Sequence, residues 1–222
     1  MKDLKFILEE EIANYFNDDW YFQEKIDSKK FMLSKKEDSI RSYDSKGSFF
    51  PIPIEIYKFL QNYKKDFFIE CDLSENKLYV LDILEFENKN LKDFTFEKRY
   101  KILEELIKNI DFEFFIFSKA FNKNKKNVLE EFKNNKSDGI YIKNKVSKYY
   151  DYYWTKFYTF HDCTVKKVDA EKRSVSLLKN KKNIGNIIIP KNHNLPKEKQ
   201  IIKIRCLEKS GKLINKKYLK VN

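Results

Sequence analysis

The sequence predicts an α+β chain in two units, a mixed helix-and-strand lobe over residues 1–157 and a small β-barrel over residues 158–222. Three features point there. As far as about residue 158, apolar residues at helical spacing alternate with apolar runs of strand length. Beyond it, five short strand candidates follow one another with no strong helical pattern. Charge changes at the same place. Residues 1–158 hold 29 basic and 29 acidic side chains, whereas residues 159–222 hold 17 and 5, so the whole net charge of +12 sits in the last 64 residues.

In chain order, Leu4, Ile7, Leu8, Ile12, Tyr15 and Phe16 are spaced for one face of an amphipathic helix. WYFQEKIDSKKFMLSKKEDSIRSY, with apolar bursts around turn residues, predicts strands and a hairpin. Pro51 and Pro53 punctuate the start of a helix over 54–64, and FFIECDL and KLYVLDILEF are apolar runs of strand length. Thr95 is placed to cap a helix carrying Tyr100, Leu103, Leu106, Ile107 and Ile110. DFEFFIFSKAF reads as one buried strand, KNKKNVLEEFKNNKSDG as a short helix ending in a turn, and GIYIK as a strand. Five later strands are expected near 160–168, 173–179, 184–189, 201–207 and 213–220, the content of a small barrel such as an OB-fold.

Composition excludes several classes. With 41% hydrophobic and 16% aromatic residues, the chain can build a core and is too apolar for a disordered segment. No stretch approaches the roughly 20 apolar residues of a membrane span. Acids in MKDLKFILEEEI interrupt the apolar run a signal peptide needs, so a cytoplasmic protein without a membrane partner is expected. Cys71, Cys163 and Cys206 are odd in number and widely separated, as suits free thiols in a reducing compartment. His161 and His193 are too few for a His-based zinc site. A neutral lobe followed by a basic one is the charge pattern of a phosphate-backbone binder.

Lys25 stands two residues before Asp27 in Gln23-Glu24-Lys25-Ile26-Asp27-Ser28, at a strand-to-turn transition. A lysine there can act as a nucleophile once deprotonated, helped by neighbouring cations or metal and by partial burial. Downstream come Glu70 in FFIECDL, Asp82 in KLYVLDIL, the segment FEKRYKILEEL, Asp138 and Lys143 in SDGIYIK, and Lys156 in YYWTKFYTFHD. In order and spacing this series resembles the covalent nucleotidyltransferases: ATP-dependent DNA ligases, RNA ligases and mRNA capping enzymes. Their signature is a nucleophilic Lys-x-Asp-Gly, an acidic strand end, an aromatic-Asp strand before a Glu-Arg helix, a Glu-Gly-strand-Lys element and a final Lys-x-Lys. The resemblance spans the chain, because a basic OB-like domain follows the last motif, as in the smallest DNA ligases.

The resemblance implies a nucleotidyltransferase (ATP-grasp-like) lobe of antiparallel sheets and helices, followed by an OB-fold barrel. It implies that Lys25 attacks the α-phosphorus of ATP to form a lysyl-AMP, and that Asp27 contacts the nucleotide or orients the lysine. Gln23 falls where the family meets the adenine edge, and Lys30 where a family arginine contacts the nucleotide and the nicked strand's phosphate. Glu70 matches the acid at the ribose and metal, and Asp138 the second acid of a magnesium site. Lys143 and Lys156 match cations that neutralise the triphosphate and the transition state. Leu81 stands where the family stacks an aromatic on adenine. The implied activity is sealing of nicked double-stranded DNA by a monomeric ligase with ATP and Mg2+, as in replication and repair. An RNA ligase shares these motifs, and a nick- or end-binding protein that has lost the chemistry is the rival from another class.

Four departures motivate that rival. Ser28 replaces the glycine, which costs about 1–2 kcal/mol or reshapes the turn if positive φ is needed there. Lys30 cannot make an arginine's bidentate contact. Leu81 is not aromatic, and Tyr158 replaces the second lysine. The family's Ser-Arg-Asn-Gly element has only Arg41 or Lys46 as candidates, and the run Tyr149–Trp154 reads as packing.

Overall fold

The computed structural model describes residues 5–135, 137–209 and 212–221, which fall into two compact units dividing between Lys156 and Phe157. Unit 1 runs β1 (Lys5–Phe6), a 3-10 helix (Glu9–Tyr15), β2 (Trp20–Lys25), β3 (Lys29–Lys36), β4 (Ser39–Asp44), α1 (Ile54–Asn62), β5 (Phe67–Ser74) and β6 (Lys77–Phe86). It continues with β7 (Lys89–Asn90), α2 (Phe96–Lys108), β8 (Phe115–Phe117), β9 (Ala120–Phe121), α3 (Lys125–Asn134), β10 (Gly139–Asn144) and β11 (Tyr152–Lys156). These strands form two sheets, ordered β1-β11-β10-β2-β9 and β4-β3-β5-β6-β7, with β8 beside β6.

The second sheet buries Leu33, Ile69, Leu78, Val80 and Ile83 against Ile56 and Leu60 of α1 and Leu103 and Leu106 of α2. The α2 cap is as expected: Thr95 Oγ1 accepts the backbone N–H of Lys98 at 3.4 Å. Hairpins β5–β6 and β6–β7 turn on Glu75-Asn76 and Glu87-Asn88, all four with positive φ, the two-residue type I′ geometry that matches strand twist.

Two expectations change. The helix expected over residues 4–16 begins only at Glu9, because Lys5–Phe6 pairs in parallel with β11 and the Glu11 carboxylate caps the Leu8 N–H at 2.6 Å; Leu4 lies outside the described residues. DFEFFIFSKAF is two strands rather than one. β8 pairs with β6 and β9 with β2, so the chain crosses from one sheet to the other at Ser118-Lys119.

Gly139 opens β10 where a Cβ would meet the Thr155 carbonyl oxygen of β11 at 1.9 Å. The atoms it would meet are all β11 backbone, so nothing flexible can give way. Gly139→Ala should therefore cost about 1–3 kcal/mol or more, read as a lowered thermal midpoint by circular dichroism.

Unit 2 is one antiparallel sheet of β12 (Thr159–Asp169), β13 (Ser174–Lys179), β14 (Lys182–Ile188), β15 (Ile201–Lys209) and β16 (Lys212–Val221), ordered β14-β13-β12-β15-β16. The end strands β14 and β16 also come alongside each other, curling the sheet around Cys163, Val165, Val175, Leu177, Ile187, Ile202 and Ile204. All three cysteines are free and buried. No helix among the described residues is long and apolar enough to cross a membrane.

Candidate active site

Strand pairing gathers the first group of side chains. Lys25 ends β2 opposite Gly139, and Gly139 in turn lies opposite Lys156 at the end of β11. Asp138, the residue before Gly139, thus stands between two lysines: its Oδ2 accepts from Lys25 Nζ and lies 3.5 Å from Lys156 Nζ. The side chains of Lys25, Asp138 and Lys156 are 14%, 13% and 27% exposed, screened yet open to a ligand. Ahead of Glu70, Lys-x-Asp spacing recurs at Lys36–Asp38 and Lys64–Asp66, but Lys36 and Lys64 are exposed surface residues with no such grouping.

The second group spans both sheets. Lys30 of β3 forms an ion pair with Glu70 Oε1 at 3.0 Å and donates to the Tyr152 hydroxyl at 2.8 Å, while that hydroxyl donates to Glu70 at 2.9 Å. The Lys30 amine also sits 4.1 Å from the centre of the Tyr141 ring. Glu70 and Asp72 point to one face of β5, both are buried, and Glu70 Oε2 and Asp72 Oδ1 have no hydrogen-bond partner. Burial pushes the Asp72 carboxyl up, against the opposing pull of Lys30 and Lys25.

A β-bulge joins the sheets. Glu70 pairs with Asp82 but Cys71 pairs with Val80, which leaves Leu81 as the extra residue. The freed Leu81 carbonyl accepts from Gln23 Nε2 at 3.2 Å and from Lys143 Nζ at 3.1 Å. Gln23 Nε2 also donates to the Ser118 carbonyl at 2.8 Å. With both amide hydrogens committed to carbonyls, Gln23 Oε1 is left buried with no partner. Beside it a pocket of about 210 Å³ is lined by Ile26, Tyr79, Leu81, Phe117 and Ser118, among others. That is smaller than the ~300–1,000 Å³ of drug-sized sites and suits a flat fragment such as a base.

Behind the pocket, Arg99 of α2 holds Asp82 through two hydrogen bonds, 2.9 and 3.0 Å, and Lys143 Nζ lies 3.7 Å from the same carboxylate. Lys143 is 1% exposed, so its amine faces Asp82 and the Leu81 carbonyl rather than open cleft. Desolvation pushes that amine's pKa down, with Asp82 opposing. A lysine with a folded pKa below its unfolded one loses stability at low pH and regains it as pH rises towards the unfolded value. Wild type should therefore gain stability relative to Lys143→Met as pH rises towards the unfolded lysine value of about 10.4, as thermal midpoints of the two proteins would show.

Of the residues singled out in the sequence, Lys25, Asp138 and Lys156 form one group, Lys30 and Glu70 a second, and Gln23, Leu81 and Lys143 a third. Asp27 is exposed in the turn between β2 and β3. Ser28 has no positive φ, so the expected glycine penalty does not arise there. Leu81 contributes its backbone carbonyl as well as a pocket wall. Tyr152, read as packing, hydrogen-bonds Lys30 and Glu70, and Asp72 and Tyr141 join the same cluster without having been singled out in the sequence. The i, i+2 spacing of Glu70 and Asp72 on a strand was the signal for Asp72.

No family model and no curated protein matches the chain. Solved structures do. The ligase domain of M. tuberculosis LigD matches with a TM-score of 0.58 at 10% identity, covering 99% of this chain and 94% of that one. A structure titled as mycobacterial DNA ligase D complexed with ATP and MES matches at 0.56 and 12% identity, covering 91% and 89%. A Lig E DNA ligase described as binding DNA with a minimal scaffold matches at 0.67 and 13% identity over 100% of both chains. The chain thus has the two-part fold of minimal ATP-dependent DNA ligases, an α+β nucleotidyltransferase unit followed by an OB barrel.

Proposed function

We propose that this protein is an ATP-dependent DNA ligase that seals nicks in duplex DNA through a lysyl-AMP on Lys25. The observation that carries this reading is the convergence of Lys25, Asp138 and Lys156 on three paired strand ends of such a fold. Residues 1–157 act as the adenylyltransferase domain and residues 158–222 as a DNA-gripping OB domain, in a monomer working in the cytoplasm.

Lys25 Nζ attacks the α-phosphorus of ATP; the N–P bond forms and the bond to pyrophosphate breaks. Asp138, already accepting a hydrogen bond from that amine, takes its proton. Lys156 offsets charge on the phosphates, and Lys143 adds positive field from behind the Leu81 carbonyl. Gln23 serves the adenine edge by holding the Leu81 and Ser118 carbonyls, and Leu81 and Ser118 line the base pocket. Asp27 contacts the nucleotide from the turn, Glu70 meets the ribose, and Lys30 meets the 5′-phosphate of the nick. AMP then passes to that phosphate, and the neighbouring 3′-hydroxyl displaces it.

Magnesium fits the donor set. Glu70 has a buried oxygen without a partner and Asp138 is partly open, both hard oxygen ligands. Among the described residues no three acids, histidines or cysteines cluster, so phosphates and water would supply the remaining ligands. The ion would neutralise charge developing on the phosphates.

Incubation with α-labelled ATP and magnesium tests the reading: a labelled protein band that survives denaturation and alkali but is lost in hot acid, as a phosphoramidate is, is expected, and its absence leaves only a binding protein. A panel of nicked duplexes with DNA or RNA on each side of the nick should then show sealing on DNA. Sealing only with RNA strands would point to an RNA ligase.

A further inference from the structure

The outer face of unit 2 carries an arrangement that the nucleotide-transfer chemistry does not use. Along β12 the core side chains are Cys163 and Val165, and along β15 they are Ile202, Ile204 and Cys206. Alternation therefore sends Phe160 and Arg205, which are direct cross-strand partners, to the opposite face. Lys217 lies across from Arg205 on β16 and is exposed. Phe160 is 54% exposed, an unusual position for a phenylalanine.

Arg205 is held without being neutralised. Its guanidinium lies 4.5 Å from the centre of the Tyr158 ring. Among the described residues it forms no ion pair, and its Nε is buried with no acceptor. A ring fixes the plane of the guanidinium at little entropic cost and leaves its outer N–H groups for an oxyanion. An oriented arginine, a second cation and an exposed ring match the alternation of phosphate and base along a nucleic-acid strand.

We propose that Arg205, stacked on Tyr158, binds a backbone phosphate of a nucleic-acid strand, with Phe160 the platform for an adjoining base. The choice of a nicked duplex as partner rests on the ligase reading; the geometry itself asks only for a strand. Tyr158 occupies the place of the family's second lysine, and Arg205 returns a cation to it.

The test uses the full chain, a fluorescent 5′-phosphorylated nicked duplex, no ATP, and binding measured by anisotropy across a range of salt. Arg205→Ala should bind several-fold more weakly at low salt, with a log–log salt slope shallower by about 0.9, the loss of one phosphate contact. Arg205→Lys should keep the slope, and adding Tyr158→Lys to Arg205→Ala should restore it. Phe160→Ala should weaken binding and leave the slope unchanged. The proposal fails if Arg205→Ala binds like wild type, or if neither lysine substitution restores its slope, which marks a packing role. It also fails if Arg205→Ala loses only lysyl-AMP formation from ATP, which places its phosphate on the nucleotide. A wild-type chain that shows these slopes but forms no lysyl-AMP sinks the ligase reading and leaves this one standing.

Discussion

Lys25→Ala should form no lysyl-AMP at all and seal no nicks from ATP. The amine at the end of β2 is the group paired with Asp138 beside the base pocket, and no neighbour can take its line of attack. Lys156 shares the same carboxylate, but it lies on β11, beyond β10 from β2, and serves as the opposing charge. Lys25→Arg should fail equally, because a guanidinium stays protonated and cannot act as the nucleophile. Folding should survive both changes. Asp138 keeps Lys156 as a partner, so Lys25→Ala should move the thermal midpoint by no more than about 2–4 °C. Gel detection of labelled protein together with a melting curve checks both halves of the expectation.

Arg99→Ala should have the largest effect on stability. Arg99 is 2% exposed and supplies two of the hydrogen bonds to a fully buried Asp82, and it also donates to the Phe94 and Ser147 carbonyls. Lys143 alone, 3.7 Å away, cannot replace that fork. Leaving a buried carboxylate half-satisfied costs about 3–5 kcal/mol. For a chain of this length the thermal midpoint should fall by roughly 6–20 °C. Adding Asp82→Ala to Arg99→Ala should cost less than the sum of the two single changes, because they share one interaction. An Arg99→Ala protein that melts with wild type would show that the buried pair does not hold α2 to β6.

Much of the fold could be read locally. Thr95 capped the helix it preceded, and the strands of unit 2 fell close to the expected ranges because turn residues punctuate short apolar runs there. The failures came where long-range pairing overrode local pattern. A helical apolar spacing at the start gave way to a two-residue parallel pairing with β11, and one apolar run was divided between two sheets. Turns were legible and passed over: Glu-Asn recurs at 75–76 and 87–88, and asparagine takes left-handed backbone readily.

The site divides in the same way. The grouping of Lys25, Asp138 and Lys156 was legible because each stands in a motif at a strand end. Tyr152 was not, since a tyrosine in an aromatic run gives no sign that its hydroxyl will close a triangle with Lys30 and Glu70. The Leu81 carbonyl could not be seen either, because a bulge is a property of the pairing between strands.

The most direct test is the address of the adenylate. The chain should be incubated with ATP and magnesium, digested, and its peptides sequenced by mass spectrometry. AMP should be found on Lys25 alone, in the peptide that runs on into Ile26-Asp27-Ser28. Adenylate on Lys36, Lys64, Lys156 or any other lysine would contradict the assignment of the nucleophile and, with it, the roles given to Asp138 and Lys156.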